Sequence, residues 1–527
     1  MLSLMAVMPG SPTLSRRVIV VGAGPGGLAA SLLLARSGAE VTVLERKSRV
    51  GGRSGRIEMD GFRFDLGPTF FLYPRILEEI FAACGRDLRR AVDLIRLDPL
   101  YRIVFEGDGE LRVLGDPDRL AAEIAKLDPH DAAALKDFLA ENRAKLAAFR
   151  PALEQPFRGR RDLLRPAMIK ALGLMRPWST VDADLARHFR DQRVRLAFSF
   201  QSKYLGMSPF RCPSLFTILS FLEHEHGVWH PRGGCSAVLD AMADLARDMG
   251  VDIRLDTPVE AIRFDGRKAT GVRAGGEELK ADAVVVNADF AQAMRTLVPD
   301  ALRRRWTDRR IESRKFSCST FMLYLGIEGR IDLDHHTILL ASDYRRNLAE
   351  IDAGTAPPEQ PSLYIQNACV TDAELAPPGC STLYVLVPVG NLAGGIDWAR
   401  EAPRYRAQVL RRLEALGVRD IERRIRVERM LTPTDWAADL SIFRGATFNL
   451  AHSLDQMLHN RPRNRFEDLD RVFLVGGGTH PGSGLPVIFE GARITARLVA
   501  EELNLAFPRR VEVSPLRRDV ALAEAQL

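Results

Sequence analysis

Two short runs of β-branched residues near the start of the chain flank a predicted helix. The first run, Val18-Ile19-Val20-Val21, is typical of a strand that is buried on both faces of a parallel sheet. Helix-forming residues follow from Leu28 to Arg36, and Ser37-Gly38 stands where a C-terminal glycine belongs. A second strand is predicted from Glu40 to Leu44. Strand, helix and strand in this order predict a βαβ unit and an α/β fold class.

A glycine-rich turn joins the first predicted strand to the helix. Its glycines satisfy the pattern GxGxxG. The first glycine permits a tight turn, the second lets the backbone approach a pyrophosphate, and the third allows close packing of helix on strand. The helix N-terminus offers free N–H groups to phosphates, and Glu45, after the second strand, can accept hydrogen bonds from ribose hydroxyls. The alternative is a structural turn in another βαβ unit. The predicted dinucleotide site comprises Gly22, Ala23, Gly24, Gly26, Gly27 and Glu45.

The chain beyond Glu45 extends this pattern. Arg46 follows the acid, and the segment continues to Gly51-Gly52-Arg53. This sequence resembles the extended fingerprint of the FAD-containing amine oxidase and carotenoid desaturase superfamily, and residues 64–69 (FDLGPT) are similar to that family's segment beside the flavin. The resemblance implies FAD as the cofactor. It adds the following residues to the site: Arg46, Gly52, Arg53, Gly67, Pro68 and Thr69.

A second strand, glycine loop and helix lie near the end of the chain. Residues 471–475 (RVFLV) predict a buried strand, the loop is GGGTHPGSGLP at 476–486, and an amphipathic helix is predicted from Val487 to Leu503. The loop resembles the C-terminal signature of bacterial-type phytoene desaturases, in which the helix start faces the flavin pyrimidine. The alternative is a structural glycine loop. The resemblance implies Gly478, Gly484, Leu485 and Pro486 as flavin contacts.

One loop residue, His480, is the only candidate acid–base group. A histidine titrates near neutral pH and can therefore exchange a proton during a reaction. The alternative is that His480 orders the loop by hydrogen bonding and has no proton role. The sequence names no other catalytic residue, and no metal-ligand cluster is visible in it.

Three segments in the middle of the chain strengthen the same resemblance. Residues 227–234 (GVWHPRGG) precede a predicted helix from Ser236 to Met249, and residues 251–262 resemble the strand whose backbone, near Val259, meets the adenine. Residues 283–288 match the strand that returns to the nucleotide fold. We therefore expect an amine-oxidase-like α/β protein: a discontinuous Rossmann-type FAD-binding domain combined with an α+β substrate domain.

The positions of these motifs divide the chain. The FAD-binding domain is predicted to comprise residues 15–75, 227–300 and 465–505, and the insertions 76–226 and 301–464 would form the substrate and membrane-contacting domain, followed by a peripheral tail at 506–527. The first insertion is predicted as largely helical, with a helical run from Asp118 to Leu146. The second is predicted to alternate strands, such as Phe321–Leu325 and Thr382–Val389, with a helix near Arg404–Leu416.

Two segments of the first insertion bear on the substrate. Residues 198–221 are rich in large apolar side chains, which form either ordinary core or the wall of a tunnel for a linear hydrocarbon; such a tunnel would gain roughly 0.8 kcal/mol per buried methylene. Residues 157–178 interleave arginines with apolar side chains and end at Trp178. This second pattern is typical of an interfacial segment resting on anionic lipid headgroups, and the alternative is a solvated basic helix.

Composition narrows the remaining choices. The net charge is +6, but the basic residues are not interleaved with base-stacking aromatics, so nucleic acid is not an expected partner. Six cysteines lack paired spacing and suit free thiols in a reducing compartment. Met1–Leu14 lacks a basic region before its apolar residues, so no signal peptide is predicted. Together with the absence of a long apolar run, this predicts a cytoplasmic protein on the inner face of the membrane.

The resemblance implies an FAD-dependent desaturase that introduces double bonds into a linear isoprenoid, either phytoene or a C30 diapophytoene or squalene-like chain. In such a reaction flavin N5 takes a hydride and a neighbouring carbon loses a proton. Three alternatives remain: an acyclic carotenoid oxidase of the same family, an amine oxidase, and a non-catalytic prenyl-lipid carrier similar to the Rab GDP-dissociation inhibitors. The carrier needs no intact flavin site. The resemblance does not fix the oligomeric state.

Overall fold

The computed structural model describes residues 16–511 and 513, so the expectation for Met1–Leu14 and most of the predicted tail lie outside the described residues. The strands are β1 Arg17–Val21, β2 Glu40–Leu44, β3 Arg56–Met59, β4 Phe62–Asp65, β5 Phe71–Leu72, β6 Leu94–Arg96, β7 Tyr101–Phe105, β8 Glu110–Val113, β9 Val228–Pro231, β10 Asp252–Arg254, β11 Val259–Asp265, β12 Lys268–Ala274, β13 Glu277–Lys280, β14 Ala283–Val286, β15 Ser319–Glu328, β16 His336–Leu340, β17 Leu363–Gln366, β18 Cys380–Val389, β19 Ile425–Leu431 and β20 Val472–Leu474. The α-helices are α1 Pro25–Arg36, α2 Arg75–Ala83, α3 Leu88–Ala91, α4 Pro117–Ala125, α5 Pro129–Leu153, α6 Pro166–Met175, α7 Val181–Leu185, α8 Gln192–Ala197, α9 Ile218–His226, α10 Cys235–Asp248, α11 Phe290–Leu297, α12 Asp308–Glu312, α13 Tyr344–Ala353, α14 Trp398–Ala415, α15 Ile421–Arg424, α16 Pro433–Leu440 and α17 Leu485–Leu503.

A five-stranded parallel sheet in the order β10-β2-β1-β14-β20 collects strands from both ends and the middle of the chain. Its central strand β1 is buried at four of its five residues, as a strand covered on both faces must be. Helices α1, α10 and α17 pack on one face through a shared apolar core. The β11–β13 sheet and α11 contribute to the core on the other face. The βαβ unit predicted from the first 45 residues is present.

A seven-stranded mixed sheet in the order β19-β15-β18-β17-β16-β7-β8 forms the second large layer. All of its neighbouring strands run antiparallel except β16 and β7. Strands β7 and β8 come from the first insertion, where the sequence predicted mainly helix. Both strands alternate between buried and less buried residues, and this period of two is the signal for a strand.

Two predicted elements are each divided in the structure. The helical run from Asp118 to Leu146 is wrong as a single element, because Asp128 caps a new helix, α5, with Pro129 in its first turn; this pairing of residues starts a helix. The segment 251–262 comprises two strands in different sheets, β10 and β11. Asp256, with a φ of 51°, lies in the turn between them.

The segment 227–234 forms a strand and leads into a helix that Asp65 of the predicted flavin segment anchors. Strand β9 is the middle strand of the small sheet β5-β9-β6, and α10 begins at Cys235, one residue before its predicted start. The Asp65 carboxylate accepts hydrogen bonds from the N–H groups of Cys235 (2.9 Å) and Ser236 (3.1 Å). A buried carboxylate at a helix N-terminus is favoured by the helix dipole, and here it joins two distant parts of the chain.

The six cysteines all carry free thiols, as their scattered positions predict. Cys212 and Cys235 are buried among apolar side chains, and burial raises the pKa of both thiols. Thiols of this kind are unreactive packing residues.

Candidate functional site

One cavity of about 580 Å³ extends from the carboxyl ends of the parallel strands to the seven-stranded sheet. In open α/β sheets ligands bind at this edge. Most residues that the sequence predicts for the cofactor line the cavity, and Ala23, Gly27, Gly478 and His480 do not. The predicted residues that line it are Gly22, Gly24, Gly26, Glu45, Arg46, Gly52, Arg53, Gly67, Pro68, Thr69, Val259, Gly484, Leu485 and Pro486.

The first glycine turn brings backbone very close to backbone. Gly22 has a φ of 97°, and a Cβ atom on it would lie 2.5 Å from the Asn287 carbonyl oxygen. A Cβ on Gly27 would lie 2.2 Å from the carbonyl oxygen of Gly22, so Gly27 acts through packing and not by facing the cavity. Gly24 caps α1 without a side-chain hydrogen bond. The N–H groups at the start of α1 are therefore left for an anionic ligand.

Glu45 is held rigidly at the end of β2. Its side chain is only 6% exposed; Oε2 accepts a hydrogen bond from the Ala23 N–H (2.8 Å) and Oε1 accepts one from the Lys47 N–H (3.0 Å). A carboxylate has about four acceptor sites, so both oxygens retain capacity for ribose hydroxyls. Ala23 therefore contributes to the site by positioning Glu45.

Arg53 lies in a buried polar cluster at the cavity wall. Its Nη1 donates to the Thr447 carbonyl (2.7 Å). The Asn449 amide, oriented to match its neighbours, accepts from Arg53 at 3.1 and 3.2 Å and donates to Asp289 Oδ2 at 2.8 Å. Burial lowers the pKa of Arg53, and the Asp289 carboxylate partly offsets this. Arg53 thus has protein partners that fix its position at the cavity wall.

The sequence analysis missed the partners of Arg53. Asp289 follows the predicted strand that ends at Ala288, and a polar residue just beyond the carboxyl end of a parallel strand is a readable signal for a ligand site. Thr447 and Asn449 carry no such signal. Thr447 is 394 residues from Arg53 in the chain and follows irregular structure, so only the tertiary fold brings them together.

The C-terminal glycine loop meets the cavity through the predicted Gly484 and through two glycines that were not predicted. Gly476, Gly477 and Ser483 line the cavity, whereas a Cβ on Gly478 would lie 2.8 Å from Phe290 Cβ, so Gly478 is a packing residue. Helix α17 begins at Leu485, two residues before its predicted start, and its N-cap Gly484 provides no side-chain hydrogen bond. The positive end of a 19-residue helix therefore faces the cavity.

His480 lies outside the cavity lining. Its ring is 2% exposed, Nε2 donates to the Gln155 carbonyl (3.0 Å), and Phe157 packs edge-on at 5.0 Å between ring centroids. Burial lowers the pKa of His480 to about 4, so the ring is neutral near pH 7. These contacts favour the interpretation that His480 orders the loop over the interpretation that it exchanges protons with a substrate.

The predicted apolar region at 198–221 serves two purposes. Phe198 and Phe221 are 2% and 1% exposed and belong to the core. Other members of the run face the cavity, as do apolar residues of the seven-stranded sheet and of α13. The apolar cavity wall includes Phe200, Leu205, Leu219, Leu222, Ile338, Leu340, Ile351 and Leu386.

Two tyrosines of the seven-stranded sheet line the cavity beside the predicted flavin segment. The Tyr384 hydroxyl donates to the Gly67 carbonyl (2.7 Å). The Tyr364 hydroxyl is 2.5 Å from Thr69 Oγ1 and 2.8 Å from Nδ1 of His336. Both phenols thereby tie the sheet to residues 67–69, and both were missed by the sequence analysis.

Comparison with known proteins identifies the family. The model of the flavin containing amine oxidoreductases matches residues 25–504. A 4,4'-diapophytoene desaturase (4,4'-diapolycopene-forming) from Methylomonas is 41% identical over 94% of this chain and 97% of its own. An all-trans-zeta-carotene desaturase from Myxococcus xanthus is 40% identical over 92% and 94%.

Among solved structures, cyclohexylamine oxidase from Brevibacterium oxydans is similar in fold, with a TM-score of 0.55 and 18% identity over 93% of this chain and all of its own. The predicted fold class, family and cofactor are thus confirmed. The chain belongs to the flavin containing amine oxidoreductases, within their carotenoid desaturases, and is an FAD-dependent oxidoreductase.

Proposed function

We propose that this enzyme introduces double bonds into a linear isoprenoid, either phytoene or a C30 chain such as diapophytoene. The observation that carries this proposal is that a dinucleotide site and a long apolar wall share one cavity. A hydrocarbon without polar groups is recognised by burial alone, at roughly 0.8 kcal/mol per methylene. The names of the two relatives, one acting on a C30 and the other on a C40 precursor, support this substrate class.

We further propose how the chain holds FAD. The first glycine turn and the start of α1 would bind the diphosphate, Glu45 the ribose, the backbone near Val259 the adenine, and the start of α17 the flavin ring. The lining fits a ligand that lies close to the backbone, since Gly22, Gly24, Gly26 and Gly52 all face the cavity where the diphosphate would bind. When bound, the flavin supplies the hydride acceptor for the oxidation.

The protein's own contribution is orientation and exclusion of water. The apolar wall would remove the hydrocarbon substrate from solvent and align it with residues 67–69. The positive end of α17 favours negative charge that develops nearby. The buried cluster of Arg53, Asn449 and Asp289 holds another part of the cavity wall in place. Thr69 belongs to the predicted flavin segment, and the hydroxyls of Tyr364 and Tyr384, which also line the cavity, contact Thr69 and Gly67.

We propose domain limits as the sequence predicted them: residues 15–75, 227–300 and 465–505 for the FAD-binding domain, and 76–226 with 301–464 for the substrate domain. Pairing of β7 with β16 joins the two insertions in one sheet, which supports treating them as one unit. The start of the tail is fastened to this body, because Arg510 donates to Glu79 and Glu154, each at 2.8 Å.

We also propose that residues 157–178 rest on a membrane surface. Three of their large apolar side chains are exposed, Leu164 (71%), Ile169 (57%) and Trp178 (76%), while Met168 and Met175 point into a small core. The same segment carries exposed arginines, a combination that suits anionic headgroups: Arg158, Arg160 and Arg161. Within residues 16–511 and 513, no helix has the length and apolarity to cross a bilayer.

The substrate proposal is tested by expressing the enzyme in one host that supplies phytoene and in another that supplies its C30 counterpart. We expect a coloured, more conjugated polyene in at least one host, identified by its absorption and mass. Oxygenated products alone, formed from an already desaturated polyene, would favour the acyclic carotenoid oxidase. Purified protein without flavin absorption would favour a prenyl-lipid carrier.

A further inference from the structure

A chain of hydrogen bonds leads from the cavity into the protein interior. Thr69 and Tyr364 line the cavity, their oxygens are 2.5 Å apart, and the Tyr364 oxygen is 2.8 Å from Nδ1 of His336. His336 is fully buried, and its ring stacks on Phe70 with 4.1 Å between centroids. The chain therefore connects the predicted flavin side of the cavity to an imidazole that solvent does not reach.

Two more histidines pack near His336 through ring contacts. The His335 ring centroid is 4.5 Å from that of His336, and the His230 centroid is 4.8 Å from that of His335. Nε2 of His230 is 3.3 Å from Asp372 Oδ2, a contact between two side chains that are each 1% exposed. We name these four residues, His336, His335, His230 and Asp372, the histidine column.

The histidine column retains unused hydrogen-bonding capacity. Nε2 of His336, Nδ1 of His230 and Oδ1 of Asp372 are buried without a hydrogen-bond partner. Unpaired polar atoms in an interior are costly and call for a physical reason. A cation site is not that reason: within residues 16–511 and 513, ligand atoms converge closely enough for a metal only at Asp128, His130 and Asp131.

We propose that Tyr364 accepts the proton that leaves the substrate and passes its own proton to Nδ1 of His336, where that proton remains. The inference rests on the proposed desaturation. Two C–H bonds of the substrate break: one hydrogen leaves with its electron pair as a hydride to the bound flavin, and the other leaves as a proton. The electron pair of the second C–H bond becomes the new carbon–carbon double bond. Tyr364 stays neutral, because it gains one proton and donates another to Nδ1 of His336.

The electrostatics of the column set the resting state of the relay. Burial, reinforced by His230, lowers the pKa of His336 well below its usual value, so the resting ring is neutral and a weak base. It can take a proton because a carbon next to one that has lost a hydride is a far stronger acid. The groups that face it are Tyr364 on β17, His335 beside it in sequence and His230 on β9. Burial raises the pKa of Asp372, but hydrogen bonds from His230 and the Gly233 N–H outweigh this, so Asp372 remains a carboxylate that attracts the proton.

The relay is tested with Tyr364→Phe, which removes the hydroxyl and keeps the ring. Tyr384→Phe is the matched control: it removes a second cavity hydroxyl, whose proton goes to a backbone carbonyl and not to a histidine. The measurement is anaerobic reduction of the enzyme's flavin by the polyene in H₂O and in D₂O, together with the Kd for the polyene. General acid–base catalysis contributes about 10²- to 10⁴-fold.

For Tyr364→Phe we expect reduction to slow by about 100-fold or more, the solvent isotope effect to disappear, and the Kd to change little. Tyr384→Phe should keep the isotope effect. Reduction of Tyr364→Phe at the wild-type rate with the same isotope effect would overturn the relay while leaving the desaturase proposal intact. Failure of the wild-type flavin to be reduced by either polyene would overturn both.

A second measurement does not depend on activity or on the folding of a variant. ¹⁵N NMR of histidine-labelled wild-type enzyme reports which nitrogen of His336 carries hydrogen, with His336→Gln used to assign the signal. The relay requires the neutral form with hydrogen on Nε2, since Nδ1 must accept from Tyr364. Hydrogen on Nδ1, donated to the Tyr364 oxygen, would overturn the proposed direction of transfer.

Discussion

Glu45 shows how one side chain serves both the fold and the cofactor. The sequence predicted its place at the end of β2 and its use in a ribose contact. The structure adds that its two oxygens accept the N–H groups of Ala23 and Lys47, so the carboxylate also holds the glycine turn against the second strand. The motif GxGxxG could not reveal this, because the bond joins residues on two different strand ends.

Glu45→Ala should weaken FAD retention. The variant loses charge-assisted hydrogen bonds, each contributing about 1.5–3 kcal/mol, which corresponds to roughly 10- to 100-fold in Kd. The measurement is flavin content after gel filtration and Kd by flavin fluorescence. Glu277→Ala, at an exposed position on β13, is the control. Full flavin occupancy in Glu45→Ala would contradict the assignment of this residue.

Glu223 gives stability a dependence on pH. It is fully buried and accepts hydrogen bonds from Tyr101 (2.8 Å) and Gln201 (3.0 Å); burial raises its pKa to about 7. Between about pH 4.5 and 7 the unfolded chain loses this proton and the folded protein keeps it. The free energy of unfolding therefore falls with rising pH, by about 3 kcal/mol at most.

Glu223→Gln should remove this fall, because an amide does not ionise. We expect the Tm of Glu223→Gln relative to wild type to rise steadily from pH 5 to pH 7.5. Glu225→Gln, two residues along α9 at an exposed position, should show no such trend. A constant difference in Tm between Glu223→Gln and wild type would show that Glu223 is ionised in the folded protein at all of these pH values.

At the scale of elements, the sequence predicted correctly the helices that have both a periodic apolar pattern and recognisable residues at their ends. Helices α10 and α17 begin within two residues of their predicted starts. Strands β7 and β8 escaped notice because each is only five or four residues long and lies between helices. The break before α5 is signalled only by one Asp-Pro pair. Helix-forming residues on both sides of this pair made the segment look like one continuous helix.

The close packing of the glycine turn predicts that one added methyl group lowers stability and flavin binding. Gly27→Ala should destabilise the protein by about 1–3 kcal/mol and reduce flavin binding, since the new Cβ would lie 2.2 Å from the Gly22 carbonyl oxygen. Gly173→Ala is the control: Gly173 lies on α6, and a Cβ there meets no atom within 4 Å. It should leave stability unchanged or raise it by up to about 1 kcal/mol. Equal Tm values for the two variants would contradict the packing role of Gly27.

The segment 157–178 makes a prediction about lipid. We expect a variant with serine at all three exposed positions, Leu164, Ile169 and Trp178, to bind vesicles of phosphatidylcholine and phosphatidylglycerol at least tenfold more weakly than wild type. Full burial of one such side chain contributes about 1.5–3 kcal/mol. Cosedimentation measures this. Val370→Ser/Leu454→Ser removes other exposed apolar side chains and should bind as wild type. Unchanged binding of the triple variant would place the contact elsewhere.

For the whole molecule, family resemblance established more than residue patterns could. The motifs at both ends and in the middle predicted the discontinuous nucleotide fold, and the strand order β10-β2-β1-β14-β20 brings those motifs together. The opposite wall of the cavity could not be predicted. Tyr364 and Tyr384 meet residues 67–69, and Thr447 meets Arg53, only in the tertiary fold, and no local pattern encodes these contacts.

The most direct test mixes the enzyme, purified with its flavin, with phytoene or its C30 counterpart in the absence of oxygen. Because flavin and polyene are proposed to share one cavity, our expectation is that the visible flavin absorption bleaches as a longer conjugated polyene appears, one double bond for each flavin reduced. A polyene that remains unchanged while the flavin stays oxidised, in a protein that demonstrably contains FAD, would contradict it.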